Sequence, residues 1–227
     1  MLAEPGRAAL LLAGVEVVFG RGAATMRALE VPELAVPAGS LCGIAGPSGS
    51  GKTTLLHLAG GLLVPGRGSV RWGDVDLATL TPGARDGWRR RRAGFVFQDF
   101  CLVPELSARD NVLLPQWFTA WSARGQAAAA DALLAELGVR TPGKRAGLLS
   151  RGEQQRVAIA RAVFADPAIL LADEPTASLD AATAAGVADL LVAHARSRGA
   201  TLLVVSHDPA LLDRMDRVVR LERGQLA

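Results

Sequence analysis

The run Gly46-Pro-Ser-Gly-Ser-Gly-Lys-Thr53 constrains this chain more than any other feature, because it matches G-x-x-x-x-G-K-[ST] without a mismatch. The apolar stretch Leu41–Ala45 before it reads as a strand, and Thr54-Leu-Leu-His-Leu-Ala after it opens a helix. A strand–loop–helix unit of this kind belongs to an α/β architecture. Glycines Gly46, Gly49 and Gly51 let the backbone curl so that successive N–H groups, including those of Ser48 and Ser50, converge on phosphates. Pro47 leaves those donors untouched. Lys52 adds a compact charge for the β- and γ-phosphates, the Thr53 hydroxyl can ligate Mg²⁺, and Thr54 continues into the helix whose N-terminal dipole favours anions. Of 25 basic residues only Lys52 and Lys144 are lysines, so an arginine-using chain places a lysine where this chemistry needs one. The plain alternative is a Gly/Ser-rich turn before a core helix.

A length of 227 residues allows one large domain, or one domain with a subdomain, and a sizeable core. Half the residues are apolar and 21% are charged, which excludes a disordered chain. A net charge of +3 does not call for direct nucleic-acid binding. Cys42 and Cys101 lack metal-ligand spacing and read as reduced packing residues of a cytoplasmic protein. The start lacks a secretory pattern, and apolar stretches such as Ala8–Val18 and Leu202–Val205 are too short to cross a membrane, so no span of its own is expected.

Short β-rich runs alternate with helical ones, the mark of a mostly parallel sheet flanked by helices. Strands are expected at Leu10–Val18, Leu41–Ala45, Gly68–Trp72, Gly94–Phe97, Ala168–Ala172 and Thr201–Val205. A last strand, Val218–Leu221, is expected to end at Arg223-Gly224. Between Trp72 and Gly94 the reading is a polar, Arg/Gly-rich connection with Arg89–Arg92 solvated; a membrane-side contact is its alternative. From Gln98 to Phe164 the β signal disappears, and Ser107–Ala120, Gln126–Leu137 and Glu153–Phe164 read as helices. One domain over 1–227 follows, with an α/β core over about 1–97 and 166–227 and a helical insertion over about 98–165.

Ala168-Ile-Leu-Leu-Ala-Asp173-Glu174 is a buried strand delivering two carboxylates at its C-terminal end, where α/β sheets place ligands. Asp173 suits the metal of a bound nucleotide. Glu174, one residue on, suits a general base that polarises water.

Leu149-Ser-Arg-Gly-Glu-Gln-Gln-Arg156 opens a helix and resembles the LSGGQ signature of ABC-type ATPases. Other motifs of that family follow in order: Gln98 resembles the Q-loop glutamine, Ser178-Leu-Asp180 the D-loop and His207 the switch histidine. The resemblance spans essentially the whole chain. It implies a P-loop ATPase core with a mixed sheet, an N-terminal antiparallel β part and an inserted helical subdomain. It further implies MgATP hydrolysis by head-to-tail dimers, each ATP held between the P-loop of one subunit and the signature of the other. By that resemblance Ser150, Gly152 and Glu153 belong to the cradle offered in trans, Asp180 crosses the interface, and His207 reaches the γ-phosphate. Gln98 would contact the metal or the water, Asp173 and Thr53 the metal, and Glu174 would act as base beside Lys52. Two positions depart from the pattern: Arg151 stands where glycine is usual, and Glu153 replaces glutamine. Arg151 is expected to point to solvent, with a phosphate contact or slowed closure as alternatives. No tyrosine is available to stack on adenine. Phe19 lies at the expected position, core packing being the other reading.

Leu55-Leu-His-Leu-Ala-Gly-Gly61, Gly94-Phe-Val-Phe-Gln98 and Val103-Pro-Glu-Leu-Ser-Ala-Arg-Asp-Asn-Val112 resemble the lipoprotein-release and macrolide-exporter branch of the family. The implied partners are a separately encoded transmembrane permease and a second copy or a paralogue, at the inner face of the membrane. A cell-division ATPase of the FtsE type, driving envelope remodelling without transport, is the alternative. His57, Trp88, Trp117 and Trp121 read mainly as packing residues, although Trp117 and Trp121, at i and i+4, could line a groove for a permease helix. With Ala227 just after the last strand, no regulatory domain is expected.

Overall fold

The structure, a computed structural model, describes residues 9–20, 26–118, 125–177 and 179–227. Ser178 and Trp121, together with the end of the helix expected to reach Ala120, lie outside those residues.

Two kinds of sheet meet in this molecule. The antiparallel part begins with β1 (Leu10–Phe19), whose inward side chains Leu10, Leu12, Val15 and Val17 are buried. It pairs with β2 (Met26–Val36) from Leu10↔Val36 to Phe19↔Met26, and on its other side with β4 (Arg67–Trp72). The short β5 (Val75–Asp76) closes that edge. The parallel part consists of β3 (Leu41–Ala45), β6 (Ala93–Val96), β7 (Ile169–Asp173) and β8 (Thr201–Val205), together with β9 (Arg217–Glu222). Residues of β7 and β8 are buried throughout, as expected of strands covered on both faces. A final strand, β10 (Gln225–Leu226), pairs with β9 and with Glu30 of β2 and so joins the two parts. Among the described residues the order is β5-β4-β1-β2-β10-β9-β3-β8-β7-β6.

Helices cover the parallel strands. α1 (Lys52–Ala59) follows β3 and buries Leu55, Leu56 and Leu58. α2 (Pro82–Arg92) precedes β6. Between β6 and β7 come α3 (Ala108–Trp117), α4 (Ala127–Glu136) and α5 (Arg151–Val163). α6 (Ala181–Arg198) and the short α7 (Pro209–Leu212) flank β8. One apolar cluster joins β7 and β8 to α3, α4, α5 and α6, with Val112, Leu134, Ile159 and Leu191 fully buried. A second joins the antiparallel part to α1 and the opposite sheet face.

Three expectations need correction. The stretch taken as a polar connection is α2: Thr81 Oγ1 accepts from Ala84 N, Pro82 supplies the first helical residue, and Arg89–Arg92 form its last turn. Its apolar anchor is Trp88, buried with its ring centroid 6.4 Å from that of Trp72. Val218–Leu221 does not finish the sheet, because the chain turns at Arg223-Gly224 and returns as β10. Cys42 is a buried packing residue, and burial pushes its thiol up to about 11. Cys101 is not: it is exposed, on a left-handed turn at φ 48°.

Candidate active site

The strands β3, β6, β7 and β8 run parallel, so the residues that follow them emerge along one edge of the sheet. After β3 comes the loop Gly46–Thr53, after β6 Gln98, at the end of β7 Asp173 and Glu174, and after β8 His207. Residues far apart in sequence thus share one rim.

The loop is shaped by what its glycines must avoid. A Cβ on Gly46 would lie 2.1 Å from the Leu221 carbonyl oxygen, and one on Gly51, at φ 99°, would lie 2.8 Å from that of Ala28. Lys52 is almost buried, and its Nζ donates to the carbonyls of Gly46 at 2.8 Å and Pro47 at 2.9 Å. An ammonium has three protons, so one remains for a phosphate oxygen. Ser50 Oγ is buried and has no hydrogen-bond partner. A buried hydroxyl left without a partner beneath the loop is a polar group the fold alone does not satisfy.

Thr53 Oγ1 donates to Asp173 Oδ1 at 3.3 Å. Asp173 is 5% exposed, and burial pushes its carboxyl above the ordinary carboxylate range against the opposing pull of the Thr53 bond. Glu174 sits in the left-handed region at φ 45°, rare for a residue with a side chain. That conformation turns its carboxylate back toward the end of β8. There Oε2 lies 2.8 Å from Nδ1 of His207 and accepts from the His207 backbone N–H at 3.4 Å.

A pocket of about 470 Å³ opens over the loop, lined by Phe19, Ala28, Ser48, Gly49, Gly51, Lys52, Thr53, Thr54, Gln98 and Glu174. Phe19 is 45% exposed on its rim, so it faces the pocket and not the core. Beyond Lys52 the cleft continues past Gly46 and Pro47 to Ala177 and His207.

Ser150, Gly152, Glu153 and Asp180 line neither of these spaces. Ser150 caps α5: its Oγ accepts from Glu153 N at 3.3 Å, while Glu153 Oε2 accepts from Ser150 N at 2.9 Å. Glutamate in place of glutamine therefore completes a capping box, and the Ser150 N–H holds its carboxyl below the ordinary range. Asp180 caps α6, accepting from Thr183 N at 3.0 Å and Thr183 Oγ1 at 2.7 Å. A Cβ on Gly152 would meet the Thr183 methyl at 2.7 Å, so that glycine also seats α5 against α6.

Arg151 is exposed as expected, yet its guanidinium is not free: it lies over the Phe100 ring, 5.6 Å from the centroid. Phe100, Arg161 and Asn111 were absent from the sequence-based site. Arg161 donates to the carbonyls of Phe100, at 2.6 Å, and Cys101. Asn111, fully buried, accepts from Val103 N at 2.8 Å and donates to the carbonyls of Val103 and Ser107. An arginine within the Val157–Val163 apolar run was the one signal that could have found the first of these braces.

Comparison with known proteins agrees with the geometry. A family model described as ABC transporter matches residues 29–177. A second, described as an AAA domain, putative AbiEii toxin, Type IV TA system, matches the shorter, overlapping stretch 144–213. The lipoprotein-releasing system ATP-binding protein LolD of Cereibacter sphaeroides is 43% identical over 96% of this chain and 98% of its own. LolD of Ruegeria pomeroyi is also 43% identical, over 96% of both chains. Among solved structures, the dimeric bacterial ABC transporter cassette MJ0796 superimposes with a TM-score of 0.89 at 35% identity over 96% of each chain. Its dimeric post-hydrolysis state, bound to ADP and Pi, gives 0.87.

Proposed function

The chain belongs to the ABC transporter family as one of its ATP-binding, ATP-hydrolysing subunits, and from that premise we propose that it drives a separately encoded permease of the lipoprotein-release or exporter type. The full-length likeness to proteins named for lipoprotein release supports the choice of branch. The observation that carries the mechanism is the separation of the two anion cradles. Gly46–Thr53 lines the pocket, whereas Ser150 and Gly152, at the N-terminus of another helix, do not. A second chain placed head-to-tail would bring its α5 terminus to the phosphates held by the first loop.

In this reading Phe19 stacks on the adenine and Gly46–Thr54 wraps the phosphates, with Lys52 supplying the charge. Thr53 and Asp173, two hard oxygen donors already adjacent, fit Mg²⁺, and Gln98, which lines the same pocket as Thr53, would complete the set. When bound, the ion would spread the negative charge of the β- and γ-phosphates. Glu174 takes a proton from the attacking water, and His207 holds the carboxylate until the γ-phosphate draws the imidazole to itself. Ser150 and Gly152 close on the same phosphate from the partner, with Asp180 at the seam.

Among the described residues no helix is long and apolar enough to cross a membrane, so coupling is assigned to the permease. The surface for it is the cleft between α2, β6 and α3, floored by Phe95, Phe97 and Pro115 and edged by Arg89 and Arg90. Half-exposed Trp117 lies on the same helix as Pro115, and Gln98 follows the Phe97 floor directly.

The test is affinity purification of tagged Glu174→Gln protein from detergent-solubilised native membranes with MgATP, followed by mass spectrometry. A stoichiometric multi-span partner supports the reading, and that partner's architecture separates lipoprotein release, export and a cell-division complex. Recovery of only soluble or nucleic-acid-bound partners overturns the transporter role.

A further inference from the structure

We propose that Arg151 is a positioning residue that latches the signature cradle to the loop carrying Gln98. The inference rests on the divided site described above and extends it to a position where the family pattern places glycine.

Arg151 is the first residue of α5, next to Ser150. A cation there opposes the positive end of the helix dipole, so its placement needs an offsetting partner. The Phe100 ring provides it, with the guanidinium over its face at 5.6 Å. Phe100 is not a casual neighbour. It is 7% exposed, stands two residues after Gln98, and holds the left-handed conformation at φ 60°, followed by Cys101 at φ 48°. Two consecutive left-handed residues with side chains persist only where the surroundings hold them. Part of that hold comes from α5 itself, through Arg161 and the carbonyls of Phe100 and Cys101. α5 therefore grips the Gln98 loop at two points: Arg161 takes its backbone, and Arg151 takes its aromatic side chain. Displacement of Gln98 by a nucleotide then moves the N-terminus of α5, and the Ser150–Gly152 cradle with it. Glycine at 151 would leave only the Arg161 grip.

The decisive experiment is a double-mutant cycle in the Glu174→Gln background, with Arg151→Gln, Phe100→Leu and the pair. Glutamine is close to arginine in helix propensity and removes the guanidinium that lies over the ring. ATP-dependent dimerisation is followed by analytical ultracentrifugation, and monomer nucleotide binding by a fluorescent ATP analogue. Each single variant is expected to weaken dimerisation about three- to tenfold, as befits a partly shielded cation–π contact. Monomer binding stays within twofold, and the double variant is no worse than the weaker single. Arg151→Lys, which keeps a cation, recovers most of the loss. Additive effects would overturn the latch, since they are what a direct contact of Arg151 with the partner's phosphate predicts. An unchanged dimerisation constant, or parallel loss of monomer binding, would overturn it as well. Ser150→Arg separates the two levels of the argument. If it suppresses dimerisation while Arg151→Gln does not, the latch alone fails. If neither does, the divided site fails too.

Discussion

Nδ1 of His207 lies 2.8 Å from Oε2 of Glu174, joining the ends of two adjacent parallel strands across the mouth of the cleft. The contact is made from a backbone outlier, since Glu174 holds the left-handed conformation at φ 45°. The imidazole is largely exposed, at 69%, whereas the carboxylate is only 12% exposed, so the histidine is the member free to move. In the proposed mechanism it releases the base when a γ-phosphate offers a stronger acceptor.

Glu174→Gln is therefore expected to bind ATP and collect as a closed dimer while turnover falls by roughly 10²–10⁴-fold, the usual worth of a positioned general base. Steady-state phosphate release, set beside the dimer fraction in MgATP, measures both effects. Turnover within a few-fold of wild type would remove Glu174 from the role.

Phe19→Ala should weaken nucleotide binding by about tenfold or more, since stacking of a base on an aromatic ring is worth roughly 1–3 kcal/mol. Phe19→Trp should retain it. Titration with a fluorescent ATP analogue decides the matter, and equal affinity for the alanine variant would return Phe19 to a packing role.

Much of this site could be read from the chain because its parts are local. The phosphate loop is one contiguous stretch, and the strand ending in Asp173-Glu174 announces itself by an unbroken buried run. Elements made by tertiary contact were harder to read. α2 carries Trp88 as its one large apolar side chain, and what buries that ring is Trp72, a partner in a strand sixteen positions earlier. β2 contains Pro32, which argues locally against a strand. The structure tolerates it opposite Gly14, between the pairs Ala13↔Glu33 and Val15↔Val31. Arg151 shows the same limit inside the site: its partner Phe100 lies on a turn whose left-handed backbone no propensity foretells.

Gly152→Ala tests the packing role of the signature glycine. Its methyl would press on Thr183, whose hydroxyl is committed to Asp180, so the strain passes to the Asp180 cap. Overpacking of this kind costs about 1–3 kcal/mol. A lower Tm and slower turnover are expected, and Thr183→Ser, which removes the methyl and keeps the hydroxyl on Asp180, should restore the Tm in the double variant. If the Tm is not restored, the glycine is required for something other than α6.

Asp216 ties the start of β3 to α6: Oδ2 accepts from Leu41 N at 2.8 Å, and Arg196 donates to both oxygens. The Arg196 bond first, then the Leu41 N–H, holds its carboxyl below the ordinary 3.8. A depressed carboxyl contributes stability that is present above its unfolded value and lost as pH falls through the folded one. Asp216→Asn should therefore destabilise at pH 7, by about 1 kcal/mol once solvent screening of this half-exposed pair is allowed for. The difference should shrink toward zero in denaturant titrations below pH 3.8. A penalty independent of pH would place the effect in packing.

Asp173 presents the opposite sign. Burial raises its carboxyl, so the folded chain keeps a proton at a pH where the unfolded chain, at the ordinary 3.8, has lost it. Stability therefore declines as pH rises through that window, and at neutral pH the buried charge is a standing cost of the proposed metal site. Asp173→Asn removes the charge with little change of shape. In EDTA its Tm should exceed that of wild type. With MgATP at 100 times the wild-type Kd, wild type should gain about 2.7 kcal/mol of stability from binding, and the variant little or none. Crossing of the two stability orders on adding MgATP would identify Asp173 as a residue kept for its ligand at the expense of the fold. A lower Tm for the variant in EDTA would mean that the carboxylate serves the packing of β7, and the argument for a poised metal site would lose its support.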